Sequence, residues 1–117
     1  MIRIKRAYEP ASATDGQRIL VDRLWPRGMS KERAKIDRWA KELAPSTALR
    51  KWFGHDPAKW AEFQQRYKRE LQANGEALQE IAGIARSCTV TLVFGARDLH
   101  HNEAVVLQDV IETLGDK

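Results

Sequence analysis

Three consecutive apolar residues, Ile19-Leu20-Val21, run directly into Asp22-Arg23-Leu24-Trp25-Pro26-Arg27-Gly28. A continuous apolar run of this kind predicts a strand over 17–24 buried on both faces. Thr91–Phe94 repeats the pattern, with Gly95-Ala96-Arg97-Asp98 following at once, so 89–94 is read as a second buried strand. Near the start, Ile2 and Ile4 alternate with Arg3 and Lys5, which fits a strand with one wet face near a sheet edge. Residues 10–16 (P-A-S-A-T-D-G) have loop composition.

The helical pattern is strongest after Pro45. Ser46 is placed to cap a short helix through Leu49, Trp52 and Phe53 that Gly54 stops. Asp56-Pro57 is a start signal, carboxylate cap followed by proline at the first helical position. The helix after it carries Trp60, Phe63, Tyr67 and Leu71 on one stripe and is expected to end near Asn74-Gly75. Leu78, Ile81, Ala82 and Ala85 mark another helix. In the last one Leu107, Val110, Ile111 and Leu114 face inward, with Gly115 at its end. Residues 29–44 are ambiguous: Ser30 with Glu32 and Arg33 can open a short helix, while Ile36, Trp39 and Leu43 fit a helix or an irregular packed segment. The order strand, strand, helices, strand, helix predicts a small three-layer, Rossmann-like α/β sandwich with a mainly parallel sheet, one domain over residues 1–117. Residues 8–18 are barely long enough for a parallel crossover, which leaves the direction of the first strand open.

Composition narrows the class. With 43% hydrophobic and 31% charged residues the chain reads as an ordinary globular protein. It shows neither a membrane-length apolar run nor the apolar middle of a signal peptide, and it has one cysteine, so a cytoplasmic protein without membrane attachment is expected. Charge is unevenly distributed: residues 1–69 hold 17 Lys/Arg against 8 Asp/Glu, and residues 70–117 hold 3 against 8. Such polarity suits an anionic partner, a phosphate-bearing small molecule or nucleic acid, unless the two parts simply neutralise each other.

In open α/β sheets ligands bind beyond the carboxyl ends of the strands, so both strand exits should share one rim. Arg23, Arg27 and Arg97 are the expected anion partners there. Trp25 is expected either to stack on a ring or to cover the end of the core. Asp98 is a candidate cap for the final helix, with Asp22, His101 and Asn102 supplying orienting hydrogen bonds. A hydrolase is the alternative, with Asp22 or Asp98 activating water and His101 transferring the proton. Arginines on the rim lower an aspartate's pKa, which favours binding over acid–base catalysis. A third reading is an interaction module using the basic surface of residues 23–51. No G-x-G-x-x-G or P-loop is present, so no nucleotide cofactor is expected. His100 and His101 are adjacent and cannot face one way on a helix, so no metal is expected. Cys88 reads as a packed residue, and Trp39, Trp52 and Trp60 as core or subunit contacts.

V-D-R-L-W-P-R-G at 21–28, K-E-L-A-P-S at 41–46, L-R-K-W-F-G-H-D-P at 49–57 with the following W-x-x-F-x-x-x-Y, and H-N-x-A-V-V-L at 101–107 resemble the YeaO-like proteins. The resemblance spans nearly the whole chain. It implies a small Rossmann-like α/β fold within a bacterial and archaeal family of domains of unknown function. It also draws attention to Asp22, Arg23, Pro26 and Arg27. Longer relatives carry cysteines where this chain has Phe94 and Asn102, so their cysteine chemistry does not carry over. Residue 103 is Glu where other YeaO-like chains often have His or Asn, which weakens a histidine mechanism further.

Overall fold

The structure, a computed structural model, describes residues 1–115. Four strands, β1 (Ile2–Arg6), β2 (Gln17–Leu20), β3 (Arg38–Trp39) and β4 (Val90–Phe94), form one sheet in the order β1-β4-β2-β3, with every neighbouring pair parallel. β4 is central: Val90 pairs with both Ile2 and Gln17. The first strand therefore lies at an edge and runs with the rest. No helical crossover is needed between β1 and β2. The ten residues of loop 7–16, with a turn at 7–9 and a 3-10 turn over Ala13–Asp15, return across β4 to the start of β2.

That loop is pinned at its far end. Thr91 Oγ1 donates to the Asp15 carbonyl at 2.7 Å, and the Asp15 carboxylate accepts from Arg18 Nη1 (2.7 Å), Lys5 Nζ (3.2 Å) and the Ser12 amide (2.9 Å). Asp15 and Arg18 are both buried. Gly16 follows at φ +64°, so close to β4 that a Cβ would lie 2.1 Å from the Thr89 carbonyl oxygen; only glycine fits.

Alternation along the strands builds two cores. Ile2, Ile19, Val21, Val90, Leu92 and Phe94 face the helices, whereas Ala7, Leu20 and Val93 face the opposite way. The helical layer contains α2 (Thr47–Phe53), α3 (Trp60–Leu71), α4 (Gly75–Ser87) and α5 (Glu103–Gly115). Its inner stripe comprises Phe63, Tyr67, Leu78, Ile81, Leu107 and Ile111, all buried. Val110 and Leu114 are only partly buried against it. The layer on the other face is thin. It consists of loop 7–16, the single-turn helix α1 (Lys31–Ala34) and the Trp25–Trp39 pair, whose rings meet edge-on at 5.5 Å. Among the described residues no helix is long and apolar enough to cross a membrane.

Most ends follow their capping chemistry. Ser46 Oγ accepts from the Leu49 amide at 3.1 Å, and Gly54 closes α2 in the left-handed conformation. Asp56 caps a 3-10 turn over Pro57–Lys59 that leads into α3. One end differs from expectation. β2 stops at Leu20, because after the Val21 amide bonds the Val93 carbonyl the chain bends away at 22–24. α3 ends at Leu71, and a 3-10 turn over Gln72–Asn74 parts it from α4, which begins at Gly75, so the helix end expected near Asn74-Gly75 is found there. The Asn74 side chain donates to the Glu42 carbonyl at 2.8 Å. Within 29–44, Trp39 belongs to the two-residue edge strand β3, and Leu43 to a 3-10 turn over Lys41–Leu43.

Candidate functional site

The two strand exits share one rim, and a hydrogen bond ties them together. Asp22 Oδ2, just past β2, accepts from the Gly95 amide just past β4 at 2.8 Å. A Cβ on Gly95 would lie 3.0 Å from that oxygen. The Trp39 indole N–H donates to the Asp22 carbonyl at 2.7 Å, so the edge strand steadies the same turn.

α5 adds the third element of the rim. Asn102 is its cap: the buried side chain accepts from the Val105 amide at 3.1 Å and donates to the Asp98 carbonyl at 2.8 Å. Asp98 does not cap this helix, because loop 95–102 first makes a turn of its own. Asp98 Oδ1 accepts from the His100 and His101 amides, and Oδ2 pairs with His101 Nδ1 at 2.8 Å. The His100 amide and the His101 side chain hold the Asp98 carboxyl below its ordinary range. The His101 ring stands edge-on to Trp60 at 5.2 Å, which fixes its plane.

Glu103, the first residue of α5, meets Asp22 across the rim in a carboxyl–carboxyl hydrogen bond. Burial, then the hydrogen bond and charge of Asp22, push Glu103 well above the ordinary glutamate range, with Arg50 opposing. Two adjacent carboxyls resist ionising together. Glu103 therefore holds its proton more tightly than a free glutamate does.

Above this pair opens a cavity of about 430 Å³. Arg23, Arg50, Lys51 and His55 contribute its basic side, Phe53 and Phe63 an apolar wall, and Gly95, His101 and Asn102 the opposite edge. Arg23 is anchored by donating to the Pro45 carbonyl (3.3 Å from both Nε and Nη2). Arg50 and Lys51 are exposed on α2, while Leu49 and Phe53 of the same helix are buried. Phe53 and Phe63 stack at 4.4 Å. Among the described residues no three His, Cys, Asp or Glu side chains are grouped to hold a metal ion.

Of the residues expected from sequence, Asp22, Arg23, His101 and Asn102 line the cavity, and Asp98 backs it through His101. Trp25, Arg27 and Arg97 do not line it. After Leu24 the chain turns to the other face of the sheet. There the Trp25 indole donates to the Met29 carbonyl at 2.7 Å and packs on the Leu20–Val93 core, so it covers the end of that core. Arg27 is exposed, with its carbonyl accepting from Tyr8 Oη at 3.0 Å, and Arg97 is exposed on the 95–102 loop. Glu103, Arg50, Lys51, His55 and the two phenylalanines were missed. The signal for Glu103 was its place directly after a helix cap at the rim. For Arg50 and Lys51 it was their position opposite the apolar Leu49–Phe53 face of a short helix.

The comparisons with known proteins identify relatives without naming an activity. "Uncharacterized protein YeaO" of Escherichia coli (strain K12) is 42% identical over 113 residues, covering 97% of this chain and 98% of the relative. "Uncharacterized protein Rv3073c" of Mycobacterium tuberculosis (strain ATCC 25618 / H37Rv) is 38% identical over 110 residues, 94% of this chain and 92% of the relative. No solved structure matches. The family match runs over residues 1–117, and the chain belongs to DUF488-N3i, described as the inactive DUF488-N3 subclade, and with YeaO to the YeaO-like proteins.

Proposed function

We propose that this protein binds a phosphate-bearing ligand, a nucleotide or a nucleic-acid end, in the cavity at the carboxyl ends of its strands. The observation that carries this reading is the convergence of Arg23, Arg50 and Lys51 on one cavity. Arg23 stays from the sequence-based set, and Arg50 and Lys51 take the places expected for Arg27 and Arg97. The volume falls in the range of small-molecule sites, roughly 300–1,000 Å³. Guanidinium and ammonium groups at the mouth supply charge-assisted donors to phosphate oxygens.

The description of the family as an inactive subclade favours binding over turnover. A hydrolase remains the second reading because of the Asp98–His101 pair: a ring whose Nδ1 is held by a carboxylate has Nε2 free for proton transfer. Asp22 is less suited to activating water, since the hydrogen bond from the Gly95 amide lowers the basicity of its carboxylate.

Calorimetric titration with AMP and inorganic phosphate tests the proposal. A charge-assisted hydrogen bond is worth about 1.5–3 kcal/mol, so Arg50→Ala or Lys51→Ala should weaken binding about tenfold or more. Arg27→Ala and Arg97→Ala should leave it within about twofold. Absence of binding at millimolar ligand, or equal losses in all four variants, would refute the assignment.

A further inference from the structure

The cations at the mouth account for a charged group, but the floor of the cavity has chemistry they leave unused. Carboxyls beneath a phosphate site would repel a bare phosphate, so the floor must serve another part of the ligand. Asp22 gives one oxygen to the Gly95 amide and hydrogen-bonds the Glu103 carboxyl. An ionised carboxylate offers about four acceptor positions, which leaves the pair able to accept further donors from above. A cationic donor would have to pass Arg23, Arg50 and Lys51 to reach it. Neutral hydroxyls meet no such repulsion. Phe53 and Phe63, 5% and 2% exposed, add a small apolar patch to the lining that suits the C–H groups of a sugar ring.

We infer that the cavity takes a sugar phosphate unit, phosphate against Arg23, Arg50 and Lys51 and ring hydroxyls on the Asp22–Glu103 pair, and prefers ribose to deoxyribose. This rests on the anion site proposed above and adds the class of ligand. Burial and the neighbouring Asp22 raise the Glu103 pKa, which lessens the negative charge facing the phosphate. In a nucleotide or a nucleic-acid end, the same contacts would read the ribose 2′-hydroxyl.

The experiment is calorimetric titration of the full chain with ribose 5-phosphate, 2-deoxyribose 5-phosphate and inorganic phosphate. A hydrogen bond to a charged group is worth about 1.5–3 kcal/mol, so ribose 5-phosphate should bind about tenfold tighter than either of the others. Asp22→Asn should erase that preference while inorganic phosphate still binds, and Arg50→Ala should weaken all three probes together. Equal affinity of the wild-type protein for the three probes would overturn the sugar inference and leave the anion site standing. Failure of all three to bind would overturn both. The wild-type comparison decides the matter even where Asp22→Asn does not fold.

Discussion

Replacing Glu103 with Gln isolates the proton on which the floor of the cavity depends. In the folded chain the carboxyl is held well above its ordinary value, first by burial and then by the hydrogen bond and charge of Asp22. Unfolding returns it to the range of a free glutamate, near 4.5. Above that pH the folded state keeps a proton that the unfolded state has released. Stability therefore falls as pH rises from about 4.5, and stops falling once the folded carboxyl also ionises. For one proton the slope cannot exceed about 1.4 kcal/mol per pH unit. A glutamine amide donates to Asp22 at every pH, so it reproduces the protonated state and removes the slope. Urea unfolding of both proteins from pH 4 to 8 is the assay. The two should have similar stability at the acid end, and the variant should become progressively the more stable one toward neutrality. Groups away from Glu103 are the same in both proteins, so to first order their contributions cancel in the difference. A difference that stays flat with pH, or a variant less stable at pH 7, would mean that Arg50 outweighs Asp22 and that Glu103 is ionised. The proton-sharing floor would then be wrong.

Two further predictions concern the frame beneath the site. Asp15→Ala leaves the buried Arg18 guanidinium without its carboxylate and should cost about 3–5 kcal/mol in urea unfolding; a loss under about 1 kcal/mol would show that the pair is not holding loop 7–16. Burial raises the Asp15 pKa, but the Ser12 amide, Lys5 and Arg18 outweigh it and the net shift is downward. This stabilisation is thus present above the unfolded value of 3.8 and is lost as pH falls through the lower folded one, making wild-type acid unfolding steeper than that of the variant. Gly16→Ala would bring a Cβ to 2.1 Å from the Thr89 carbonyl oxygen at φ +64° and should cost roughly 2–5 kcal/mol. Gly28→Ala, at φ +80° with open space around it, should cost only about 1–2 kcal/mol, and equal effects of the two would refute the steric argument.

The parts of the fold legible in sequence are those where local chemistry and tertiary position agree. Ile19-Leu20-Val21 is apolar without alternation because Leu20 packs on one face of the sheet while its neighbours pack on the other. Ser46, Gly54 and Asp56 mark helix ends because the backbone groups they satisfy lie within a few residues. β3 could not be read this way. Two residues carry no period, and Arg38-Trp39 is a strand only because Ile19 and Leu20 lie beside it. The break between α3 and α4 was legible by contrast: Asn74-Gly75 marks it, and the Asn74 amide ties it to the distant Glu42 carbonyl.

The candidate site divides along the same line. Its location follows from two strand exits, and the Asp22–Gly95 hydrogen bond joins the residues that sequence marks there. Its chemistry comes from helices laid over that location. Arg50 and Lys51 reach the cavity because α2 packs its Leu49–Phe53 face inward. Glu103 reaches Asp22 because Asn102, rather than Asp98, caps α5. Moving the cap four residues changes which carboxyl faces the strands: Asp98 turns to His101 at the edge, and Glu103 takes the floor. Trp25 and Arg27 share a motif with Asp22 yet leave the site, since the bend over 22–24 carries them to the far face. Sequence adjacency to a strand exit thus identifies residues that start at the rim, and the cap of the next helix decides which acid completes it.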